Sequence, residues 1–197
     1  MARVKMIKEL PGGRVNVWLL TDEGDVRLNV SLGAYAEAGS PLGGEELDSD
    51  RLSILEYSDS EHRAIKRALS ILAFSDKNRR TLRQKLIDAG FDREIAVRTV
   101  NECVALGYID ERRQLAILIR DEANRSLRGP EYIKRKLLSK GYALADITEV
   151  TDELVEKGEV DFSLVFRKLA EKRSANDPES RRALMYKYGF RRSETED

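Results

Sequence analysis

Only the arginines and lysines of this chain recur in a pattern with chemical potential, and the chemistry they suggest is the capture of an anion. Arg79, Arg80 and Arg83 lie close together with Lys77 and Lys85 beside them, and Arg79 and Arg83 have the four-residue spacing that puts both on one helical face. Lys134, Arg135 and Lys136, followed by Lys140, form a second group; Arg181 and Arg182, followed by Lys187, form a third. A further cluster, Arg120, Arg125 and Arg128, precedes Gly129. On a single helix such a run is ordinarily a solvated face. Its return on the corresponding element of three successive segments points instead to an anionic partner, either a phosphate backbone or an acidic protein groove. Charge alone does not choose between these two. The candidate partner-binding set is Arg79, Arg80, Arg83, Lys134, Arg135, Lys136, Arg181 and Arg182.

Covalent chemistry is poorly provided for. His62 is the one histidine and Cys103 the one cysteine, so neither a Ser/His/Asp set, nor a Cys/His dyad, nor a zinc site can be assembled. Pro11-Gly12-Gly13 and Gly43-Gly44 lack the lysine and helix context of a phosphate loop. The expectation is a non-enzyme with no cofactor and no metal, in which Cys103 is a small packed hydrophobe. One cysteine allows no disulfide framework, MARVKMIKEL has no apolar signal core, and no apolar run approaches eighteen residues. These features predict a soluble protein of the reducing cytoplasm.

The elements that carry the cations are repeated. Residues 82–91 read LRQKLIDAGF, residues 133–142 read IKRKLLSKGY and residues 181–190 read RRALMYKYGF, at offsets of 51 and 48. GYID at 107–110 and GEVD at 158–161 are again 51 apart. A period near fifty is one supersecondary unit that buries its apolar face only by stacking on its neighbours. Each decapeptide has the form of a helix end, with glycine just past the last turn and an aromatic folding back on it. Phe91, Tyr108, Tyr142 and Phe190 are thereby read as end-packing residues rather than stacking platforms.

From Ser60 onward the pattern is helical throughout. Ile65, Ala68, Leu69 and Leu72 form an apolar stripe, Ser75 or Asp76 is positioned to cap the next helix, and Asp92, Asp110 and Asp161 cap later ones. The helix after Asp110 is expected to reach about Leu127, before the break at Gly129-Pro130. Before Ser60, alternation at Val15, Val17 and Leu19 and at Val26, Leu28 and Val30 predicts strands over about 3–9, 14–20 and 25–30, joined by turns at Pro11-Gly12-Gly13 and Asp22–Asp25. LGAYAEAG reads as a short helix, and EELDSDRLSILEYS as another short helix or a bend. Trp18 is out of phase with the buried side of its strand, facing either a covering helix or a partner.

The expected fold is therefore mainly α: tandem three-helix repeats in an elongated curved array, preceded by a small β-meander. The segments are 1–58 (β-rich with short helices), 59–109, 110–160, and a partial third repeat with its tail, 161–197. Charged residues make up 36% of the chain, which suits a thin array that is mostly surface. The formal net charge is zero, yet residues 1–58 hold six basic and ten acidic groups while the helical part is mildly basic.

Residues 63–160 resemble the RecX family, the bacterial regulators of the RecA recombinase. The resemblance lies in AIKRALSILAFSDKNRRTLRQKLIDAGF, in LGYIDE at 106–111 and in RGPEYIKRKLLSKGY at 128–142. The partial unit 161–190 fits it too, as does the meander carried by VKMIKEL and RVNVWLLTDEGDVRLNV. After GYIDE the family usually has an alanine followed closely by aromatics; here RRQLAILIRDEA places aliphatics there.

The resemblance implies binding in the helical groove of the RecA filament on single-stranded DNA. It implies inhibition of filament growth, ATPase, strand exchange and coprotease activity, and so restraint of the SOS response and of recombinational repair. It leaves room for weak direct DNA binding. No membrane contact is expected from a chain without a long apolar run, and a monomer is the expected state. The alternative from the residues alone is a non-catalytic DNA-binding module acting on single strands or junctions without RecA. A sequence-specific transcriptional regulator is a third reading, disfavoured because three similar basic helices suit a long contact better than one recognition helix does.

Overall fold

The computed structural model describes residues 2–195, and packing divides them into two units. The first comprises the residues up to Ser75 together with Leu82–Leu106; the second comprises Asp76–Thr81 and the residues from Gly107 on.

The first unit begins with the expected meander: β1 (Ala2–Leu10), β2 (Arg14–Thr21) and β3 (Gly24–Ser31), each extended by a residue at one or both ends. A two-residue strand, β4 (Glu46–Leu47), adds to β1, giving an antiparallel sheet in the order β3-β2-β1-β4. Period-two alternation sends Val4, Val15, Val17, Leu19, Leu28 and Val30 to one buried face. Helix α1 (Leu32–Glu37) starts from Ser31, whose Oγ accepts the Ala34 N–H at 3.1 Å.

The covering element is a single helix, α2 (Ser49–Phe74), capped by Asp48 accepting the Arg51 N–H at 2.8 Å. A short helix or bend followed by a separate repeat helix was the expectation; one 26-residue helix runs through both. The reason lies in the repeat itself. Glu56-Tyr57-Ser58-Asp59 stands 51 residues before Gly107-Tyr108-Ile109-Asp110, so a glutamate occupies the place of the helix-breaking glycine. Without a left-handed residue there the helix does not stop. Asp110 and Asp161 cap new helices by accepting the N–H of Arg113 and of Leu164. Asp59, in mid-helix, instead accepts the Asn29 N–H at 2.8 Å, and Ser58 Oγ accepts the Ser31 N–H at 3.0 Å. Both side chains are buried, and together they close outward amides of the edge strand β3, which would otherwise be open to pairing with another strand.

The inward line of α2 is Leu55, Ala64 and Ala68; of the expected stripe, Ala68 is buried while Ile65, Leu69 and Leu72 are half-buried. Helix α3 (Arg79–Asp88) starts later than Ser75 or Asp76 would have placed it, because Asn78 is the residue whose side chain caps it, accepting the Thr81 N–H at 2.8 Å. Helix α4 (Arg93–Ala105) packs on α2 and buries Ile95, Ala96, Val100 and Cys103. The Cys103 thiol is pushed above its ordinary pKa by burial, as suits a packing residue.

In the second unit α5 (Glu111–Arg120) passes into a five-residue π turn, Asp121–Arg125, rather than continuing as α-helix towards Leu127. The wider turn leaves Ala123 buried, and Leu127 takes a positive φ of 52°. Then follow α6 (Pro130–Ser139), α7 (Leu144–Glu156), α8 (Phe162–Lys172) and α9 (Pro178–Tyr188). One apolar core joins them, including Leu115, Ile119, Ile133, Leu137, Val150 and Leu169. Phe190 is buried edge-on against Phe166 at 5.2 Å between ring centroids, and the Tyr142 hydroxyl donates to Gln114 Oε1 at 2.9 Å. These two aromatics do pack at helix ends, while Tyr108 is 53% exposed. No helix among the described residues is long and apolar enough to cross a membrane.

Candidate partner-binding surface

The candidate cations sit on α3, α6 and α9, the second helix of each expected repeat, and a recurring joint fixes the ends of these helices within the second unit. At the start of α6, no side chain caps the helix. The Gly129 N–H donates to the Tyr188 carbonyl at 2.9 Å, and the Glu131 N–H donates to the Gly189 carbonyl at 3.0 Å. Amides left over at the beginning of one helix thus meet carbonyls left over at the end of the other. The first turn of α3 repeats the arrangement with a side chain. Asn78, 51 residues before Gly129, donates from Nδ2 to the Lys140 carbonyl at the end of α6, at 2.9 Å.

Each candidate residue has its own surroundings. Arg79 is exposed and pairs with Glu111 at 3.4 Å, and Glu111 also accepts the Arg79 N–H at 2.7 Å. Arg80 is exposed, with its aliphatic stem against Gly141. Arg83 is exposed and, among the described residues, makes neither ion pair nor hydrogen bond; it belongs to the first unit, the other seven to the second. Lys134 is half-buried beside a groove of about 660 Å³ that is also lined by Thr148, Asp152 and Glu156 of α7. Arg135 is exposed and donates from Nε to the Glu131 carbonyl at 3.3 Å. Lys136 is drawn inward by Glu122, whose side chain is only 14% exposed, at 2.5 Å. Arg181 lies over the Phe166 ring at 5.7 Å and Arg182 over Tyr186 at 5.9 Å.

Arg135 and Lys136 thus occupy different positions on α6, one facing water and one tied to the π turn. Arg79, Arg80, Arg83, Arg135 and Arg182 are the members with exposed side chains. Arg79 keeps an open cation on a largely buried carboxylate, since Glu111 is only 16% exposed.

Of the upstream cluster, Arg128 has a different task from the one its charge suggested. Its guanidinium lies over Tyr132 at 4.4 Å and over Tyr188 at 4.7 Å, filling the space between the two rings beside the Gly129 joint. Arg173 adds a hydrogen bond to the Tyr188 hydroxyl at 2.9 Å. Arg120 pairs with Glu159, and Arg125 with Asp121 at 2.7 Å. The same use of charge for packing occurs at Arg112, which pairs with Glu149 at 2.9 Å and with Glu153, tying α5 to α7. Among the described residues no group of three or more His, Cys, Asp or Glu side chains is arranged to hold a metal ion.

No protein-family model matches the chain. It is similar to a protein named Regulatory protein RecX from Limosilactobacillus reuteri, 26% identical over 152 residues, covering 76% of this chain and 56% of the relative. A second protein of that name, from Oceanobacillus iheyensis, is 23% identical over 141 residues, covering 71% of this chain and 52% of the relative. The chain spans about half the length of the curated relatives it matches. Two crystal structures share its fold. One, described as regulatory protein RecX, superposes with a TM-score of 0.72 at 22% identity, covering 98% of this chain and 97% of the other. The other, RecX from Lactobacillus salivarius, gives a TM-score of 0.58 at 20% identity over 70% of this chain and 92% of that one.

Proposed function

We propose that this chain, a RecX-family protein in sequence and in fold, regulates the RecA recombinase by lying in the groove of the RecA filament on single-stranded DNA. Bound there, it limits filament growth and lowers ATP hydrolysis, strand exchange and coprotease activity. The observation that carries this reading is the recurring joint that mounts cation-bearing second helices one after another, at Asn78 to Lys140 and at Gly129 to Tyr188. A filament groove is long and repetitive, and a ligand built of repeats can meet it with many weak contacts whose effects multiply.

The contacts are made by Arg79, Arg80, Arg83, Lys134, Arg135, Lys136, Arg181 and Arg182. We take the chain as a β-rich segment at 1–58 followed by repeats at 59–109, 110–160 and 161–197, working as a monomer in the cytoplasm without cofactor or catalysis of its own. The test is single-strand-dependent ATP hydrolysis by RecA, with the protein titrated from far below to above the recombinase concentration. Inhibition at substoichiometric ratios is expected; no change in hydrolysis at any ratio overturns the reading.

A further inference from the structure

The outer face of the N-terminal sheet belongs to none of the surfaces described so far, and its composition is unlike that of the segment that carries it. Residues 1–58 are acidic overall, with six basic and ten acidic groups. Yet four of the six basic residues, Arg3, Lys5, Lys8 and Arg27, come from strands β1 and β3 and are exposed.

Beyond the half-buried rung of Leu10, Arg14 and Ser31, the strand register sets out three further rungs on this face. Lys8, Asn16 and Asn29 form one; Met6, Trp18 and Arg27 form the middle one; Arg3, Leu20 and Asp25 form the third. A register shift between Val4 and Met6 inserts Lys5 beside them, within 2.5 Å of Asp25. The other face of the same strands is sealed in the core, with Val15, Val17 and Leu19 essentially inaccessible. The middle rung thus presents a half-buried tryptophan flanked by a methionine that is 49% exposed and by an exposed arginine, with Leu20, 50% exposed, next along the strand.

From this we infer that the outer face of the sheet binds single-stranded nucleic acid, one base stacking at Trp18 with the phosphates beside it held by Arg27 and Lys8. Among the described residues Arg27 and Lys8 make neither side-chain hydrogen bond nor ion pair, so both are available. Arg3 pairs with Glu46 and Lys5 with Asp25, but all four side chains are more than half exposed, and such pairs yield readily to another anion. An open antiparallel sheet with an aromatic on its middle rung and cations around it accepts the face of an unstacked base. Duplex DNA keeps its base faces covered and offers this surface only phosphates. An acidic peptide satisfies the cations but leaves the flat ring without a counterpart.

Trp18 is the chain's only tryptophan, so its fluorescence reports on this face alone. The experiment titrates the full chain, with no recombinase present, against a thymidine oligonucleotide. Tryptophan emission and the anisotropy of a labelled oligonucleotide are both followed. Saturable quenching is expected, with an affinity that falls steeply as salt is raised. Trp18→Ala should weaken binding roughly tenfold or more, as loss of one stacked base does. Trp18→Phe should keep most of it, and Arg27→Glu should weaken it with an unchanged circular dichroism spectrum. Absence of quenching overturns the proposal. So does wild-type affinity in both Trp18→Ala and Arg27→Glu, or equal competition by a duplex or by polyglutamate of matched charge. Because RecA is absent, a negative result here leaves the RecA reading standing, and loss of RecA inhibition leaves this one standing.

Discussion

Gly129 and Gly189 meet backbone against backbone, and neither position has room for a side chain. A Cβ on Gly129 would lie 2.5 Å from the carbonyl carbon of Gly189, and a Cβ on Gly189 would lie 2.5 Å from the Tyr132 nitrogen. Gly189 also has a φ of 76°, the left-handed form that ends α9. Gly129→Ala must therefore push the joint apart and lose hydrogen bonds at a helix start. A loss of about 1–3 kcal/mol in urea unfolding is expected, typical of overpacking at a close contact. Gly107→Ala is the control. Its added Cβ meets nothing within 4 Å, so only the strain of a φ of 75° remains, about 1 kcal/mol. Equal losses in the two variants would show that the joint is not tightly packed.

Arg128 is expected to behave as a packing residue rather than as a contact for a partner. Arg128→Ala removes the plane between Tyr132 and Tyr188 and should cost about 1–2 kcal/mol of stability. Arg128→Lys should recover only part of this, because an ammonium cannot lie flat against two rings. Thermal melting of the three proteins decides the point: full rescue by lysine would mean that charge, not shape, is what the site needs.

Reversing the charge of Arg79, Arg83 and Arg135 together tests the proposed filament contacts. The triple variant should need at least tenfold more protein to inhibit RecA-dependent ATP hydrolysis, with helicity unchanged. Reversal at Arg79 also sets a second carboxylate beside Glu111, which is only 16% exposed, so a measurable fall in melting temperature is expected from that site. Undiminished inhibition by a well-folded triple variant would remove these residues from the contact.

Acid should weaken the fold partly through His62. Burial lowers its pKa below the ordinary 6.5, the positive charges of Arg14 and Lys66 lower it further, and Asp59 opposes them. The unfolded chain therefore takes up the proton more readily than the folded one. The stability contributed by neutral His62 is fully present above about pH 6.5 and declines as the pH falls from there toward the lower folded value. Urea unfolding at pH 7.5 and at pH 5 should show this decline, and His62→Gln should flatten part of it. Parallel losses in the two proteins would exclude His62 as a source.

Much of this architecture could be read from local chemistry. Glycines at 90, 107, 141, 158 and 189 all have positive φ at helix ends, and strand alternation in β2 is kept without exception from Val15 to Leu19. These signals act over a few residues, and no tertiary contact overrides them. The continuity of α2 was harder to see, because its cause is a missing breaker: Glu56 stands where the repeat elsewhere has glycine. The surroundings of the candidate cations were not legible at all. Nothing near Arg128 announces Tyr188, sixty residues on, and nothing in the run Lys134–Lys136 says that its last member turns toward Glu122 while Arg135 faces water. Charge patterning records which side chains are ionic; only the packing decides which are already spent on the protein's own carboxylates and rings.

The unbroken α2 also bears on how the N-terminal sheet can be gained or lost. Its first turns cover the sheet, its later turns bury Ala64 and Ala68, and the same helix packs on α4. Cutting the chain after residue 58 would divide one rod, put Ser58 at a loose chain end, and leave Asp59 as a helix start with no strand amide to receive. The sheet is joined to the repeats as a graft is joined to its stock, through shared tissue.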